Sequence, residues 1–184
     1  MAVPRAPFVA ILAALTVAAA AAAGATVLLS VEEALALAFP GATTRRETLF
    51  LTDEQLRAAQ EAGGVEVSSA LVTRFVATDA GGALLGYAYL DTHRVRTLPE
   101  TLMVAVGADG RVARVEVVVF REPVEYMPRE GWYRQYEGGA LDDELALKRG
   151  IRPVTGATLT ARATTEAVRR VLAVHRASAA GNPP

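Results

Sequence analysis

Two apolar runs separated by a turn occupy residues 101–120, which read TLMVAVGADGRVARVEVVVF. In the second run, Val115, Val117 and Val119 recur at every other position. A period of two is typical of a β-strand with one buried face, and the Ala-Asp-Gly segment at 108–110 supplies a turn between the runs. The stretch therefore predicts an antiparallel hairpin.

The residues before this hairpin predict a second hairpin and two helices. Residues 71–78 and 84–90 are β-prone runs joined by a glycine-containing turn. The segments Ser-Val-Glu-Glu at 30–33 and Thr-Asp-Glu-Gln at 52–55 have the spacing of a capping box, which predicts a helix after each of them.

The residues after the hairpin predict further helices. Short helical pieces are expected at 132–136 and 142–147, and a closing helix at about 159–177 has a repeating apolar face. The sequence thus predicts one α+β domain over residues 26–178, with antiparallel hairpins packed against helices. Residues 179–184 are predicted to form a disordered tail.

Composition excludes several classes of site. The chain of 184 residues contains no cysteine and only two histidines, and its formal net charge is −1. Disulfides, thiolate metal sites and iron–sulfur clusters are therefore excluded, and no metal site is predicted. The balanced charge gives no indication of a nucleic-acid partner. Any redox role would need a bound organic cofactor.

The N-terminal residues predict export. Arg5 precedes a long apolar, alanine-rich run, and Ala23-Gly24-Ala25 offers a cleavage site. This pattern is typical of a secretory signal peptide over residues 1–25. The run is also long enough for an uncleaved membrane anchor. Both alternatives predict an extracytoplasmic, periplasmic domain.

The loop before the closing helix contains the candidate site, at residues 152–160, which read RPVTGATLT. A hydroxyl at a helix N-terminus is well placed to carry a phosphate, because free backbone N–H groups and the helix dipole favour an anion. Gly156 and Ala157 leave room for a close approach, and Thr155 and Thr160 offer hydroxyl donors. From these residues alone, a threonine that only caps the helix is an equally good interpretation.

The segment at 155–160 resembles the [Ser/Thr]-Gly-Ala-Thr-x-[Ser/Thr] signature of the FMN-binding domain family. That family includes flavin-carrying extracytoplasmic subunits of the sodium-pumping NADH:quinone oxidoreductase and of the Rnf complex. The resemblance implies that Thr158 is esterified to the FMN phosphate by a separate exported flavin transferase, which uses FAD and magnesium and releases AMP. The implied cofactor-binding residues are Thr155, Gly156, Ala157, Thr158, Leu159 and Thr160.

Other segments support the resemblance, over roughly residues 72–176. The hairpin from Leu102 to Val112 resembles a strand–turn–strand of the family, and residues 132–138 resemble its aromatic-then-glycine stretch. Phe-Arg-Glu-Pro at 120–123 is a partial counterpart of a Glu-Thr-Pro element. Two departures occur: Arg152 stands where the transferase signature usually has an acidic residue, and Val-Glu-Tyr at 124–126 replaces an expected Gly-Leu-Gly.

A cluster of polar residues near the end of the predicted strand 84–90 suggests a further cofactor contact. His93, Arg94 or Arg96 would donate to the flavin ring and raise its potential, and His93 and Arg96 are the predicted contacts. The alternative is a solvated loop whose charges pair with Asp91 and Glu100.

These observations predict an exported flavoprotein that carries FMN covalently at Thr158 and relays electrons outside the cytoplasmic membrane. It is expected to be a carrier with no catalytic residues of its own. Its expected partners are the flavin transferase and membrane or periplasmic redox proteins. One alternative is an exported, non-catalytic binding domain with a decayed flavin site, marked by Arg152. Another is a small hydrolase that uses a threonine hydroxyl, although neither histidine is near Thr158 in sequence.

Overall fold

The hairpin predicted at residues 101–120 lies inside one six-stranded antiparallel sheet. The computed structural model describes residues 26–180, so the predicted signal peptide and residues 181–184 lie outside the described part. The strands are β1 (Thr26–Val27), β2 (Thr43–Phe50), β3 (Leu71–Thr78), β4 (Leu84–Arg94), β5 (Pro99–Gly107) and β6 (Val112–Phe120), and they pair in the order β1-β6-β5-β4-β3-β2.

Helices lie on both faces of this sheet. They are α1 (Val31–Ala38), α2 (Asp53–Gly63), α3 (Glu130–Tyr133) and α4 (Thr158–Ala180), with 3-10 turns at Val124–Tyr126 and Arg134–Tyr136. The predicted α+β class is confirmed. No helix in residues 26–180 combines the length and the apolar character needed to cross a bilayer.

Strand β5 separates two hydrophobic clusters because its side chains alternate between the faces of the sheet. Leu102, Val104 and Val106 belong to the cluster that contains residues of α2 and α4. Met103 and Ala105 belong to the cluster that contains residues of α1. All five side chains are fully buried, so β5 forms the centre of the fold.

The two predicted capping boxes are present. The Ser30 hydroxyl accepts from the Glu33 backbone N–H at 3.1 Å, and the Glu33 carboxylate accepts from the Ser30 N–H at 2.8 Å. Thr52 and Gln55 make the same pair of contacts before α2, which ends at Gly64 in the left-handed conformation. These caps confirm the predicted starts of both helices.

Helix α4 is the long element that positions the candidate site. Its Val168 and Leu172 are buried in the core, and the Arg169 guanidinium donates to the Gly63 carbonyl at 2.8 Å, which ties α4 to the end of α2. The helix extends to Ala180 and so includes the first two residues of the predicted tail.

The structure differs from the predictions at two places. Residues 142–146 form bends instead of a helix, and Leu147 forms an isolated bridge with Ile151. The Arg169 guanidinium donates to the carbonyls of Asp142 and Leu145, which in a helix would accept from backbone N–H groups. Strand β2 was not predicted, because its sequence TTRRETLF is mostly polar. It is an edge strand that pairs with β3 along all eight residues, and charged side chains are common on such edges.

Candidate functional site

A tight turn delivers the chain to the start of α4. The Ala157 backbone N–H donates to the Val154 carbonyl at 3.3 Å, and Gly156 lies between them with φ +84°. A positive φ at this position is typical of a type II turn and favours glycine. The turn therefore places Thr158 at the first position of the helix.

The Thr158 side chain is exposed at this helix N-terminus. Its hydroxyl donates to the Val154 carbonyl at 3.2 Å. The Ala161 N–H donates to the Ala157 carbonyl at 2.9 Å, and the N–H groups before it, at the start of the helix, have no helical partner and carry the positive end of the helix dipole. The oxygen of Thr158 is thus accessible and lies beside an anion-favouring group of donors.

A cavity of about 170 Å³ lies next to Thr158. Its walls come from residues 152–160, called the attachment loop because the family resemblance implies flavin attachment there, and from two segments that follow strands β4 and β6. The lining residues are Val95, Arg96, Glu122, Tyr126, Gly156, Ala157, Thr158, Leu159 and Thr160. The structure therefore brings Arg96 together with five of the six predicted loop residues. Thr155 is exposed in the turn and is not part of the lining.

Arg96 is the cationic residue of this cavity. Its guanidinium carbon lies 5.7 Å from the centre of the Tyr126 ring, within the range of a cation–π contact. Its backbone N–H donates to the Glu122 carboxylate at 3.2 Å. Both contacts hold the Arg96 segment against the residues that follow β6.

Glu122 organises the turn between β4 and β5. One carboxylate oxygen accepts from the backbone N–H groups of Thr97 at 2.6 Å and Leu98 at 2.7 Å, as well as from Arg96. Burial acts to raise the pKa of Glu122, but the Leu98, Thr97 and Arg96 donors outweigh it and hold this pKa below its ordinary value. The role of Glu122 was not predicted. The sequence signal that could have indicated this role is the Glu-Pro pair at 122–123, which is part of the counterpart of the family's Glu-Thr-Pro element.

Thr160 supports the cavity wall from inside. Its side chain is buried, and its hydroxyl donates to the Tyr126 carbonyl at 2.5 Å. The sequence predicts that the Thr160 hydroxyl donates to a phosphate. In the structure this hydroxyl instead joins α4 to the 3-10 turn at Val124–Tyr126. Leu159, in contrast, is half exposed beside Thr158.

The predicted contact residue His93 lies elsewhere. Its ring bridges two carboxylates, with Nδ1 2.9 Å from Asp91 and Nε2 3.1 Å from Glu100. Burial acts to lower the pKa of His93, but hydrogen bonds and charge from Asp91 and Glu100 outweigh it and raise the pKa to about 9. His93 lines a separate cavity of about 590 Å³ together with Arg170. The alternative interpretation, a solvated loop with charges paired to Asp91 and Glu100, is correct about the pairing. His93 nevertheless lies in strand β4, and its side chain is buried.

The second histidine belongs to the packing of α4. The Tyr89 hydroxyl lies 2.9 Å from Nδ1 of His175, and the ring of Tyr87 packs against the imidazole. Burial and the nearby Arg74 lower the pKa of His175. Neither histidine hydrogen-bonds to Thr158 within residues 26–180, so neither is in place to act as a base for its hydroxyl. The described residues also contain no group of three or more metal-ligating side chains.

The residues around Thr158 fit a phosphorylated organic cofactor. The exposed hydroxyl and the helix N-terminus suit a phosphate, because the donors there favour an anion. An added Cβ at Gly156 would meet no atom within 4 Å, so the space beside the turn is open. Tyr126, Val95 and Arg96 supply aromatic, aliphatic and cationic side chains to the lining of the cavity, which suit the edge of a flavin ring.

The family model described as the FMN-binding domain matches residues 98–173. No curated protein and no solved structure matches the chain. The matched region begins just before β5, ends inside α4, and includes Glu122, Tyr126 and the whole attachment loop. The match supports an FMN-binding domain over residues 98–173, with FMN as its cofactor.

Proposed function

We propose that this protein carries FMN covalently, as a phosphoester of the Thr158 hydroxyl, and relays electrons outside the cytoplasmic membrane. One observation carries the proposal. An exposed threonine hydroxyl lies at the N-terminus of a 23-residue helix, beside a cavity that Arg96 also lines. The family match supports the cofactor, and the geometry supports its point of attachment.

The attachment step uses FAD as the donor. The Thr158 oxygen attacks the phosphorus on the FMN side of the FAD pyrophosphate, and a phosphoester bond forms. The bond from that phosphorus to the bridging oxygen breaks, AMP leaves with the bridging oxygen, and the hydroxyl proton is released. A separate flavin transferase with magnesium performs this step. The exposure of Thr158 supports it, because an external enzyme can reach the oxygen without unfolding the domain.

Residues of the loop then hold the ester phosphate. The hydroxyl of Thr158 gives up its bond to the Val154 carbonyl, because an ester oxygen has no proton to donate. The free N–H groups at the start of α4 would hold the phosphate, each bond contributing about 1.5–3 kcal/mol for a charged acceptor. Gly156 leaves the approach open.

When bound, FMN supplies one-electron or two-electron transfer. The guanidinium of Arg96 stabilises negative charge on the flavin ring and so raises the reduction potential. The ring of Tyr126, 5.7 Å from that guanidinium, helps to hold it in place. No base contacts Thr158 within the described residues, which favours a carrier over a threonine hydrolase.

The proposed location depends on the N-terminal sequence. Arg5, the alanine-rich run and the Ala23-Gly24-Ala25 site favour export and cleavage before Thr26. A covalent ester suits that location, since a freely dissociating cofactor would be lost by diffusion outside the cytoplasm. N-terminal sequencing of the native protein should begin at or near Thr26, and a retained Met1 in the membrane fraction would favour the anchor instead.

Intact mass after co-expression with a flavin transferase tests the attachment. The chain should gain the mass of FMN minus water, and acid-precipitated protein should remain yellow and fluorescent. A second acceptor protein in the same culture shows that the transferase is active. An unmodified chain under those conditions contradicts the proposal and favours a binding domain with a decayed site.

A further inference from the structure

His93 and Glu100 form a buried pair at the base of the β4–β5 hairpin. The tip of this hairpin lines the 170 Å³ cavity beside Thr158, which we call the cofactor cavity. They face each other across β4 and β5, and Nε2 of His93 lies 3.1 Å from a carboxylate oxygen of Glu100. Glu100 is fully buried. The turn beyond the pair is closed by a bond from the Val95 N–H to the Leu98 carbonyl, and Val95 and Arg96 line the cavity.

Helix α4 connects the pair to the cofactor cavity from a second direction. The hydroxyl of the fully buried Thr164 lies 3.5 Å from the same oxygen of Glu100. Thr164 follows the cavity-lining Thr160 by one helical turn, a rise of about 5.4 Å. Glu100 therefore lies roughly one turn of α4 behind the wall of the cofactor cavity.

The other side of the pair leads to the surface. Asp91 accepts from His93 Nδ1 at 2.9 Å, and the Arg170 guanidinium donates to both Asp91 oxygens at 3.0 and 2.9 Å. Asp91, His93 and Arg170 line the 590 Å³ cavity. A continuous run of contacts thus joins this cavity to the buried Glu100. We call Arg170, Asp91, His93 and Glu100 the buried relay.

Glu100 is the member of the buried relay with an unsatisfied atom. Its second carboxylate oxygen has no hydrogen-bond partner among residues 26–180, and neither does the buried Tyr133 hydroxyl. Burial raises the pKa of Glu100 and Asp91 adds to this, while contacts with His93 and Thr164 act against it.

Two tyrosines also face Glu100, from the segment that follows β6. Burial and the charge of Glu100 raise the pKa of Tyr133 far above its ordinary value. Burial does the same for Tyr136, where the bond to Thr165 opposes the shift and Glu100 adds to it. Both phenols therefore stay neutral near neutral pH, and Glu100 is the group on this side of the relay that can gain a proton.

We propose that Glu100 takes up a proton when the flavin at the start of α4 is reduced. This inference rests on the proposed function. An external electron donor reduces the flavin, and the added negative charge favours proton transfer from His93 Nε2 to Glu100. An O–H bond forms on the carboxyl, and a proton from solvent in the 590 Å³ cavity returns the imidazole to its cationic form. One electron and one proton enter, and reoxidation reverses both.

Infrared difference spectroscopy tests this step. The flavin-loaded protein is reduced with dithionite, and its reduced-minus-oxidised spectrum should contain the C=O stretch of a newly protonated carboxyl. Glu100→Gln should abolish that band. Glu116→Gln is the matched control, because it removes a partly buried carboxylate that pairs with Arg114 on β6, and it should leave the band unchanged.

Isotope labelling keeps the test independent of the variants. In wild-type protein the band should shift with ¹³C-labelled glutamate and stay in place with ¹³C-labelled aspartate. Absence of a carboxyl band, or a shift with aspartate, overturns the inference even when intact mass shows the flavin on Thr158. An unmodified mass overturns the proposed function, and this inference falls with it.

Titration of the flavin-free protein is a second readout. Nuclear magnetic resonance of the His93 imidazole should show it still protonated at pH 8, and Glu100→Gln should move its titration to lower pH. An imidazole that titrates near pH 6.5 in the wild type would mean that the His93–Glu100 contact does not hold the relay proton, and the inference would fail.

Discussion

The indole N–H of Trp132 donates to the carbonyl oxygen of Arg152 over 2.7 Å. The side-chain oxygen of Gln135 accepts from the Arg152 backbone N–H at 2.9 Å. Both backbone groups of residue 152 are therefore fixed by the aromatic segment after β6, while its side chain is exposed. The main chain at the start of the attachment loop is thus held by contacts that do not depend on the identity of the side chain at 152.

This arrangement predicts the effect of Arg152→Asp. The substitution restores the acidic residue of the transferase signature without disturbing the backbone contacts, so the flavin-loaded fraction should rise. The free energy of unfolding should change by less than about 0.5 kcal/mol, as is usual for an exposed side chain. Intact mass at fixed transferase exposure measures the fraction, with Arg129→Asp as the exposed control. An equal fraction in all three proteins would show that position 152 does not limit modification.

Thr158→Val should eliminate the covalent flavin. Valine keeps the branched shape of threonine but lacks the attacking oxygen, so the fold should persist while the added mass disappears. Thr158→Ser keeps an oxygen and should be partly modified. Thr155→Ala alters an exposed hydroxyl in the turn and should retain the linkage. Flavin fluorescence of acid-precipitated protein is the measurement, and a fluorescent Thr158→Val chain would place the ester on another residue.

Gly156→Ala should destabilise the attachment turn through its backbone alone. The added methyl group meets no neighbour, but φ of +84° costs a non-glycine residue about 1 kcal/mol or more. Gly131→Ala in α3 is the matched control, since its methyl group also meets no neighbour and its φ is not positive. Urea unfolding should show a loss only for Gly156→Ala. Equal stabilities would mean that the turn relaxes without cost.

Arg96→Gln should lower the reduction potential of the bound flavin. The cation lines the cofactor cavity and stabilises the reduced, more negative ring. Arg94→Gln is the control, because the Arg94 guanidinium donates to the Thr97 carbonyl and is not part of the lining. Spectroelectrochemistry should give a decrease above about 30 mV for Arg96→Gln, equivalent to about 1.4 kcal/mol for a two-electron couple. A smaller shift would remove Arg96 from the flavin contacts.

The His93 pair predicts a pH-dependent stability. The folded-state pKa of about 9 lies above the unfolded value near 6.5, so the stabilisation is complete below pH 6.5 and is lost as the pH rises to 9. The loss should be about 3 kcal/mol in the free energy of unfolding. Burial places the titration of His175 below this window, and Tyr89 titrates at about 12, above it.

The double variant His93→Gln/Glu100→Gln is the control for this prediction, because it replaces both titrating partners with neutral groups. Its urea-unfolding free energy should lack the decrease between pH 6.5 and 9. A decrease of the same size in the double variant would assign the pH dependence to other groups.

Local patterns predicted most of the described fold. The capping boxes at Ser30 and Thr52 and the alternation in β6 are short-range signals, and each marks the element that the structure contains. Strand β2 has no such signal, because its place depends on pairing with β3. Only the folded sheet shows why a polar segment is extended there.

The candidate site also contains one part that the sequence predicts and one part that only the fold brings together. The loop around Thr158 is contiguous in sequence and was predicted as a unit. The partners of His93 are not contiguous with it in sequence. Glu100 is seven residues away on the next strand, and it contacts the ring only because of the β4–β5 register. Sequence proximity therefore suggested that His93 and Arg96 belong together, whereas the hairpin places one at a buried pair and the other at the cavity.

The length of α4 has a consequence for how electron donors and acceptors approach the protein. The helix is about 34 Å long, with Thr158 at one end and the His175–Tyr89 contact near the other. With the proposed cofactor at Thr158, a reductant and an oxidant would each approach the Thr158 end of the domain, one after the other. Electron delivery and electron removal would then compete for one face, and turnover would follow a ping-pong scheme.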